Sequence, residues 1–112
     1  MIETMSGKIL QINFKFNMSE REYERALAPL AGDIAAVPGL LWKVWLMNEE
    51  EGEAGWIYLF RDEASLEAYL NGPIVTGICA HPALSGFSLK RFDVMEDLTA
   101  VTRGPVREPA FA

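Results

Sequence analysis

Apolar and polar residues alternate from Lys8 to Asn17, with Leu10, Ile12, Phe14 and Phe16 on one side and Gln11, Asn13, Lys15 and Asn17 on the other. Successive side chains of a strand point to opposite faces, so this pattern predicts a half-buried strand. Ser19 then stands three residues before Glu22, the spacing of a capping box that satisfies the first free N–H groups of a helix. Tyr23, Leu27, Leu30, Ile34 and Val37 follow at helical spacing as one apolar stripe. Pro29 cannot donate to the preceding turn and predicts a kink, and Pro38-Gly39 predicts the stop. Leu40 to Met47 and Ala54 to Phe60 read as a second and third strand, a hairpin joined by the acidic turn from Asn48 to Glu53. Asp62 can cap a second helix carrying Leu66, Tyr69 and Leu70, which Gly72-Pro73 interrupts before a shorter helical stretch with Ile74 and Ile78. Phe87 to Val94 predicts a fourth strand. Residues 1–98 then form one domain, and residues 99–112 a tail available to pack on a partner subunit.

The order βαββαβ predicts an α+β, ferredoxin-like fold: a four-stranded antiparallel sheet with both helices on a single face. Two helices leave the other face bare. Strands two and three are nevertheless apolar on both sides, since Leu41, Trp45 and Met47 alternate with Trp42, Val44 and Leu46, and Trp56, Tyr58 and Phe60 with Ile57 and Leu59. An apolar sheet face without a cover predicts a homodimer in which a second copy supplies it. Ile57 and Leu59 suit packing against helices, which assigns Trp56, Tyr58 and Phe60 to the dimer side. A charge on Lys43 would be costly beneath a helix, so Leu41, Lys43, Trp45 and Met47 join them, with Gln11, Asn13 and Lys15 from the first strand. Such an interior, aromatic with a few amide, phenol and ammonium groups, has the make-up of a pocket for a flat apolar ligand. Plainer roles stand beside this one: interface packing for Trp45, Trp56 and Phe60, structural hydrogen bonds for Asn13 and Tyr58, and a position at the rim for Lys43 and Lys15.

Composition narrows the classes. Half of the 112 residues are apolar, enough for one core, and sixteen Asp and Glu against ten Lys and Arg leave a net charge of −6, which argues against a nucleic-acid partner. No apolar run approaches the roughly 18–20 residues of a membrane helix, and the first residues lack the basic-then-apolar character of a signal peptide, so a soluble, cytoplasmic protein is expected. Cys79 and His81 are the only residues of their types, which excludes an intrachain disulfide and a Cys/His zinc site. Cys79 reads as a packed, inert thiol, and His81 as a helix-end residue rather than a general base. Hydrolase, NTPase and dinucleotide signatures are missing.

The runs Leu10-Gln11-Ile12-Asn13-Phe14-Lys15-Phe16-Asn17, Pro38-Gly39-Leu40-Leu41-Trp42-Lys43-Val44-Trp45, Ile57-Tyr58-Leu59-Phe60-Arg61-Asp62-Glu63 with Tyr69-Leu70, and Lys90-Arg91-Phe92-Asp93-Val94 together resemble the YdhR-type monooxygenase family. The resemblance implies the dimeric α/β-barrel superfamily, in which ferredoxin-like subunits pair their sheets. Related antibiotic-biosynthesis monooxygenases oxidise anthrone-like phenols to quinones with dioxygen and neither metal nor flavin. By that likeness Asn13 and Trp45 would donate to a developing oxyanion, Tyr58 would relay a proton, Lys43 would add positive charge, and Trp56 and Phe60 would stack on the rings, with Lys15 nearby. The YdhR-type pattern carries a histidine where Asn13 stands. A haem-degrading sister group uses a first-strand Asn, a Trp closing the third strand and a His on the second helix. Here Phe60 occupies the Trp position and His81 lies past the matching turn, which disfavours that activity. The expectation is a cofactor-independent monooxygenase for a small aromatic or quinonoid metabolite. The alternatives are a non-catalytic binder of a planar hydrophobic ligand, or a purely structural dimer.

Overall fold

In the computed structural model, which describes residues 7–106, the chain runs β1 (Lys8–Phe16), α1 (Glu20–Ala35), β2 (Leu40–Asn48), β3 (Glu53–Phe60), α2 (Glu63–Leu70), α3 (Pro73–Cys79), β4 (Leu84–Asp93) and α4 (Glu96–Val101). The four strands form one sheet in the order β2-β3-β1-β4, with every neighbouring pair antiparallel. This is the ferredoxin-like arrangement expected from the element order. The local signals behave as their chemistry requires. Ser19 Oγ accepts from the Glu22 N–H at 3.1 Å and Glu22 Oε1 accepts from the Ser19 N–H at 3.1 Å, closing the capping box. Asp62 Oδ1 accepts from the Ser65 N–H at 2.9 Å and starts α2. α1 runs sixteen residues with Pro29 inside it and ends at Ala35, before the Pro38-Gly39 stop. Gly39 has φ +83, and a Cβ there would stand 2.1 Å from Ser65 Oγ, so only glycine lets β2 begin this close to α2.

α4 was not announced by periodicity, and the expected domain boundary after residue 98 falls within it. Leu98 and Val101 of α4 are exposed. Beyond α4 the Trp42 indole N–H donates to the Pro105 carbonyl at 2.7 Å, so this part of the tail is tied to β2 of its own chain. Residues 107–112 of the expected tail lie outside the described residues. No helix among the described residues is long and apolar enough to cross a membrane. Cys79 is exposed rather than packed, because α3 buries Val75 and Ile78 instead.

The core lies between the sheet and α1–α3, and it corrects the sequence reading of which side is which. Residues directly opposite in a ladder share a face. Leu10 pairs with Tyr58, Ile12 with Trp56 and Phe14 with Ala54, so Trp56, Tyr58 and Phe60 lie under the helices, all fully buried. On β2, Lys43 pairs with Tyr58 and Trp45 with Trp56, which brings Lys43, Trp45 and Met47 to the same side. A bulge at Leu41 separates the Leu40–Phe60 pair from the Trp42–Leu59 pair. The face away from the helices instead carries Gln11, Asn13 and Lys15 with Trp42, Val44, Ile57 and Leu59; it is bare around Val44, whereas Leu59 is fully buried and Trp42 is bonded to Pro105. The physical reason is polar satisfaction. The Trp56 N–H donates to Tyr23 Oη of α1 at 3.0 Å, and the Tyr58 and Tyr69 hydroxyls bond to each other at 2.7 Å, partners that helices provide and the open face does not.

Candidate active site

Lys43 occupies the position that the cost of burying charge had argued against. Its Nζ lies 3.6 Å from the ring centroid of Trp45, 4.4 Å from Trp56 and 4.6 Å from Tyr58. Aromatic faces attract an ammonium and so soften the penalty of burial. Softening is not satisfaction. Among the described residues, Lys43 Nζ is the one buried side-chain nitrogen or oxygen atom without a hydrogen-bond partner. Burial pushes the amine down to about 7, so near neutrality it exists in both charged and neutral forms. The phenols move the other way. Burial holds Tyr58 well above the ordinary phenol range, its neighbour Tyr69 adding to the shift, and it pushes Tyr23 and Tyr69 up to about 12.

The rings form one connected wall. Trp45 meets Trp56 edge-on at 6.3 Å, Trp56 meets Tyr58 edge-on at 6.5 Å, and Tyr58 stacks on Phe60 at 5.7 Å. Opposite the wall, α1 presents Ala28, Ala31 and Ala35, whose small side chains leave space against the edge strand β2. A cleft of about 450 Å³ opens there between Tyr23, Leu27, Ala28 and Ala31 of α1 and Trp45 and Met47 of β2. A second cavity of about 190 Å³, lined by Lys43, Ile34, Ala35 and Leu40, adjoins it. Ala31 and Trp45 line both, so the Trp45 indole stands between them. Its N–H has no acceptor among the described residues, unlike those of Trp42 and Trp56. The arrangement offers an apolar cleft with Glu20 and Glu24 at its edge, an indole donor at its wall and a buried amine behind that donor.

Of the expected site residues, the structure brings together Lys43, Trp45, Trp56, Tyr58 and Phe60, but on the helix side of the sheet. Asn13 and Lys15 are not with them. The Asn13 amide accepts from Gln11 Nε2 at 3.0 Å and donates to Glu53 Oε2 at 3.5 Å, and Lys15 lies 3.8 Å from Glu53 Oε1, all on the bare face. Asn13 and Trp45 of one chain therefore cannot serve the same oxyanion, because residues 12 to 14 and 45 to 56 commit them to opposite sides. Tyr23 and Tyr69 were expected only as core positions, and the alanines of α1 were not singled out. Alanines flanking the buried Tyr23, Leu27 and Ile34 stripe of α1, themselves exposed, were the available signal for the cleft. Among the described residues, no three His, Cys, Asp or Glu side chains converge on a point.

A family model described as "Putative mono-oxygenase ydhR" matches residues 9–105. The chain belongs to this family. No curated protein matches the YdhR-family chain by sequence. Among solved structures it is similar to NE2512, a protein of unknown function from Nitrosomonas europaea, at TM-score 0.69 and 23% identity over 81% of this chain and 91% of that one. SnoaB, a cofactor-independent oxygenase from Streptomyces nogalater, aligns at TM-score 0.67 and 19% identity over 81% and 95% of the two chains. MhuD, a heme-degrader from Mycobacterium tuberculosis, aligns at 0.61 and 24% over 78% and 94%. At these identities the likenesses establish a shared fold, and the chemistry of the YdhR-family protein has to be argued from its own residues.

Proposed function

We propose that this protein is a cofactor-independent monooxygenase that oxidises a small aromatic or quinonoid metabolite with dioxygen in the cleft between α1 and β2. The observation that carries the reading is a largely apolar cleft bordered by Tyr23 and Trp45, where the Trp45 N–H and, behind it, the buried Lys43 amine have no hydrogen-bond partner among the described residues. For an anthrone-type substrate, loss of a proton gives a delocalised carbanion that reduces dioxygen. One oxygen atom then replaces two hydrogens at the ring carbon as a carbonyl, and the other leaves as water. Trp45 would donate to the oxyanion, Lys43 would offset its charge, and Trp56, Tyr58 and Phe60 form the rear wall rather than stacking on the ligand directly, since each is fully buried. Asn13 and Lys15, across the sheet, take no part in this site.

Oxygen uptake with a panel of anthrones and dihydroxynaphthalenes tests the reading. Trp45→Phe, which keeps a ring and removes the donor, is expected to lower kcat/KM by about 10²-fold. Binding of these compounds by the parent protein without oxygen consumption would instead favour the second reading, a non-catalytic binder. One observation supports that alternative: the Tyr58 and Tyr69 hydroxyls bond to each other, and burial holds both above the ordinary phenol range, which keeps them protonated rather than poised as bases. Haem degradation is not supported by the placement of His81. It lines a separate cavity between α1 and α3, and its Nδ1 accepts from the Ala83 N–H at 3.1 Å.

A homodimer formed through the bare sheet face belongs to the same proposal. Val44 and Phe92 are about half exposed there beside Trp42 and Ile57, an apolar surface that a second copy would cover. Val44→Asp should yield a folded monomer in sedimentation at micromolar concentration. A parent chain that already sediments as a stable monomer would refute the dimer.

A further inference from the structure

We propose that Lys43 takes the proton of an acidic ring hydroxyl on the bound ligand and stays beside the resulting oxyanion as its counterion, which makes the ligand class a phenol or quinol rather than a neutral hydrocarbon or ether. The inference rests on the α1–β2 cleft being the ligand site. Geometry carries it. Three ring faces surround Nζ at 3.6 to 4.6 Å and none of them offers a hydrogen-bonding oxygen. Such a cage tolerates an ammonium through the ring quadrupoles, and it also tolerates the neutral amine because no fixed anion holds a proton there.

The groups that face this amine are few. From β3 comes the Tyr58 phenol, bonded to Tyr69 of α2, and the Tyr23 hydroxyl of α1 accepts from the Trp56 N–H rather than contacting the amine. Glu20 and Glu24 of α1 stand at the larger cleft and make no ion pair with Lys43. Burial, which moves the amine down to about 7, leaves it able to accept a proton near neutrality while the phenols around it stay protonated. Trp45, 38% exposed, covers Nζ and borders both cavities, so rotation of that indole opens the amine to the cleft. In the step itself the ligand O–H bond breaks and an N–H bond forms at Nζ. No electrons are exchanged, and the two new charges attract more strongly beside the buried rings than they would in bulk water.

β-Naphthol is a suitable probe, because its anion absorbs at longer wavelength than the phenol. At mildly alkaline pH, where the free probe is un-ionised, the parent protein is expected to show the naphtholate band with no net proton exchanged with the buffer, measured by calorimetry in buffers of different ionisation enthalpy. Lys43→Arg, already charged, should show the same band but release about one proton per site. Lys43→Met should show no band and bind at least about tenfold more weakly, with the fold checked by its melting transition. Binding of the intact phenol by the parent, a band that persists in Lys43→Met, or no binding of the probe at all overturns the proposal. The band without oxygen uptake would leave this role standing and remove the oxygenase reading. Oxygen uptake without the band would do the reverse.

Discussion

Trp56→Ala is expected to lower the free energy of unfolding by about 3–5 kcal/mol, the range for emptying a large buried aromatic site. The indole is fully buried and lies 4.6 Å from the Phe14 ring, so its loss leaves a cavity beneath α1. It also strands the Tyr23 hydroxyl, which accepts from Trp56 Nε1 in the folded chain. An unpaired buried hydroxyl adds about 1–3 kcal/mol unless water reaches it. Denaturant titration monitored by far-UV circular dichroism measures the loss. The result also separates the two sides of the sheet: were Trp56 an interface residue, its removal would chiefly weaken association and make the midpoint depend on protein concentration. A concentration-dependent midpoint with little change for the isolated chain would contradict the placement of this ring.

Lys43→Met is expected to stabilise the protein by about 2–4 kcal/mol at or below pH 7, an unusual gain from replacing a site residue. The amine is pushed from the ordinary 10.5 to about 7 in the folded chain. Between those values the unfolded chain binds the extra proton, so stability rises with pH by at most about 1.4 kcal/mol per unit. Below about 7 both states are protonated, and the full penalty of the buried charge is present. Above pH 10 the sign reverses. Tyr23, Tyr58 and Tyr69 keep their protons in the folded chain while the unfolded chain loses them, so stability falls again. The parent protein should therefore be most stable near pH 10, and Lys43→Met should lack the rise between 7 and 10. Unfolding free energies of both proteins across that range test this, and parallel curves would show that the amine is not desolvated as described.

Much of the fold was legible because its signals are local. Alternation at Leu10, Ile12, Phe14 and Phe16, the Ser19–Glu22 box and the Asp62 cap each depend on neighbours a few positions away, and each is found where the sequence placed it. The sets of residues sharing a strand side were also legible, except at Leu41, which the bulge takes out of the alternation that grouped it with Lys43, Trp45 and Met47. What the alternation does not contain is which set meets the helices, because strands two and three are apolar on both sides and the ladder pairing that decides it is non-local. The decisive pair is Ile12 with Trp56, forty-four positions apart. The Lys43 argument failed for a related reason. It priced an ammonium under a helix as an isolated charge, whereas Trp45, Trp56 and Tyr58 provide a cage and burial permits the neutral form. α4 escaped notice because six residues are too short to show a period.

The Leu41 bulge divides β2 into two stretches that answer to different constraints. Upstream, Gly39 is wedged against Ser65, while downstream the Trp42–Asn48 ladder determines which way the amine points. Slack between them means that a one-residue length change at Leu41 can be absorbed without turning the strand over. The same change anywhere from Trp42 to Trp45 would evert the pocket and carry its base to the opposite surface. Length variation among descendants of this chain should therefore be tolerated at the strand's entrance and purged a single turn of the pleat later.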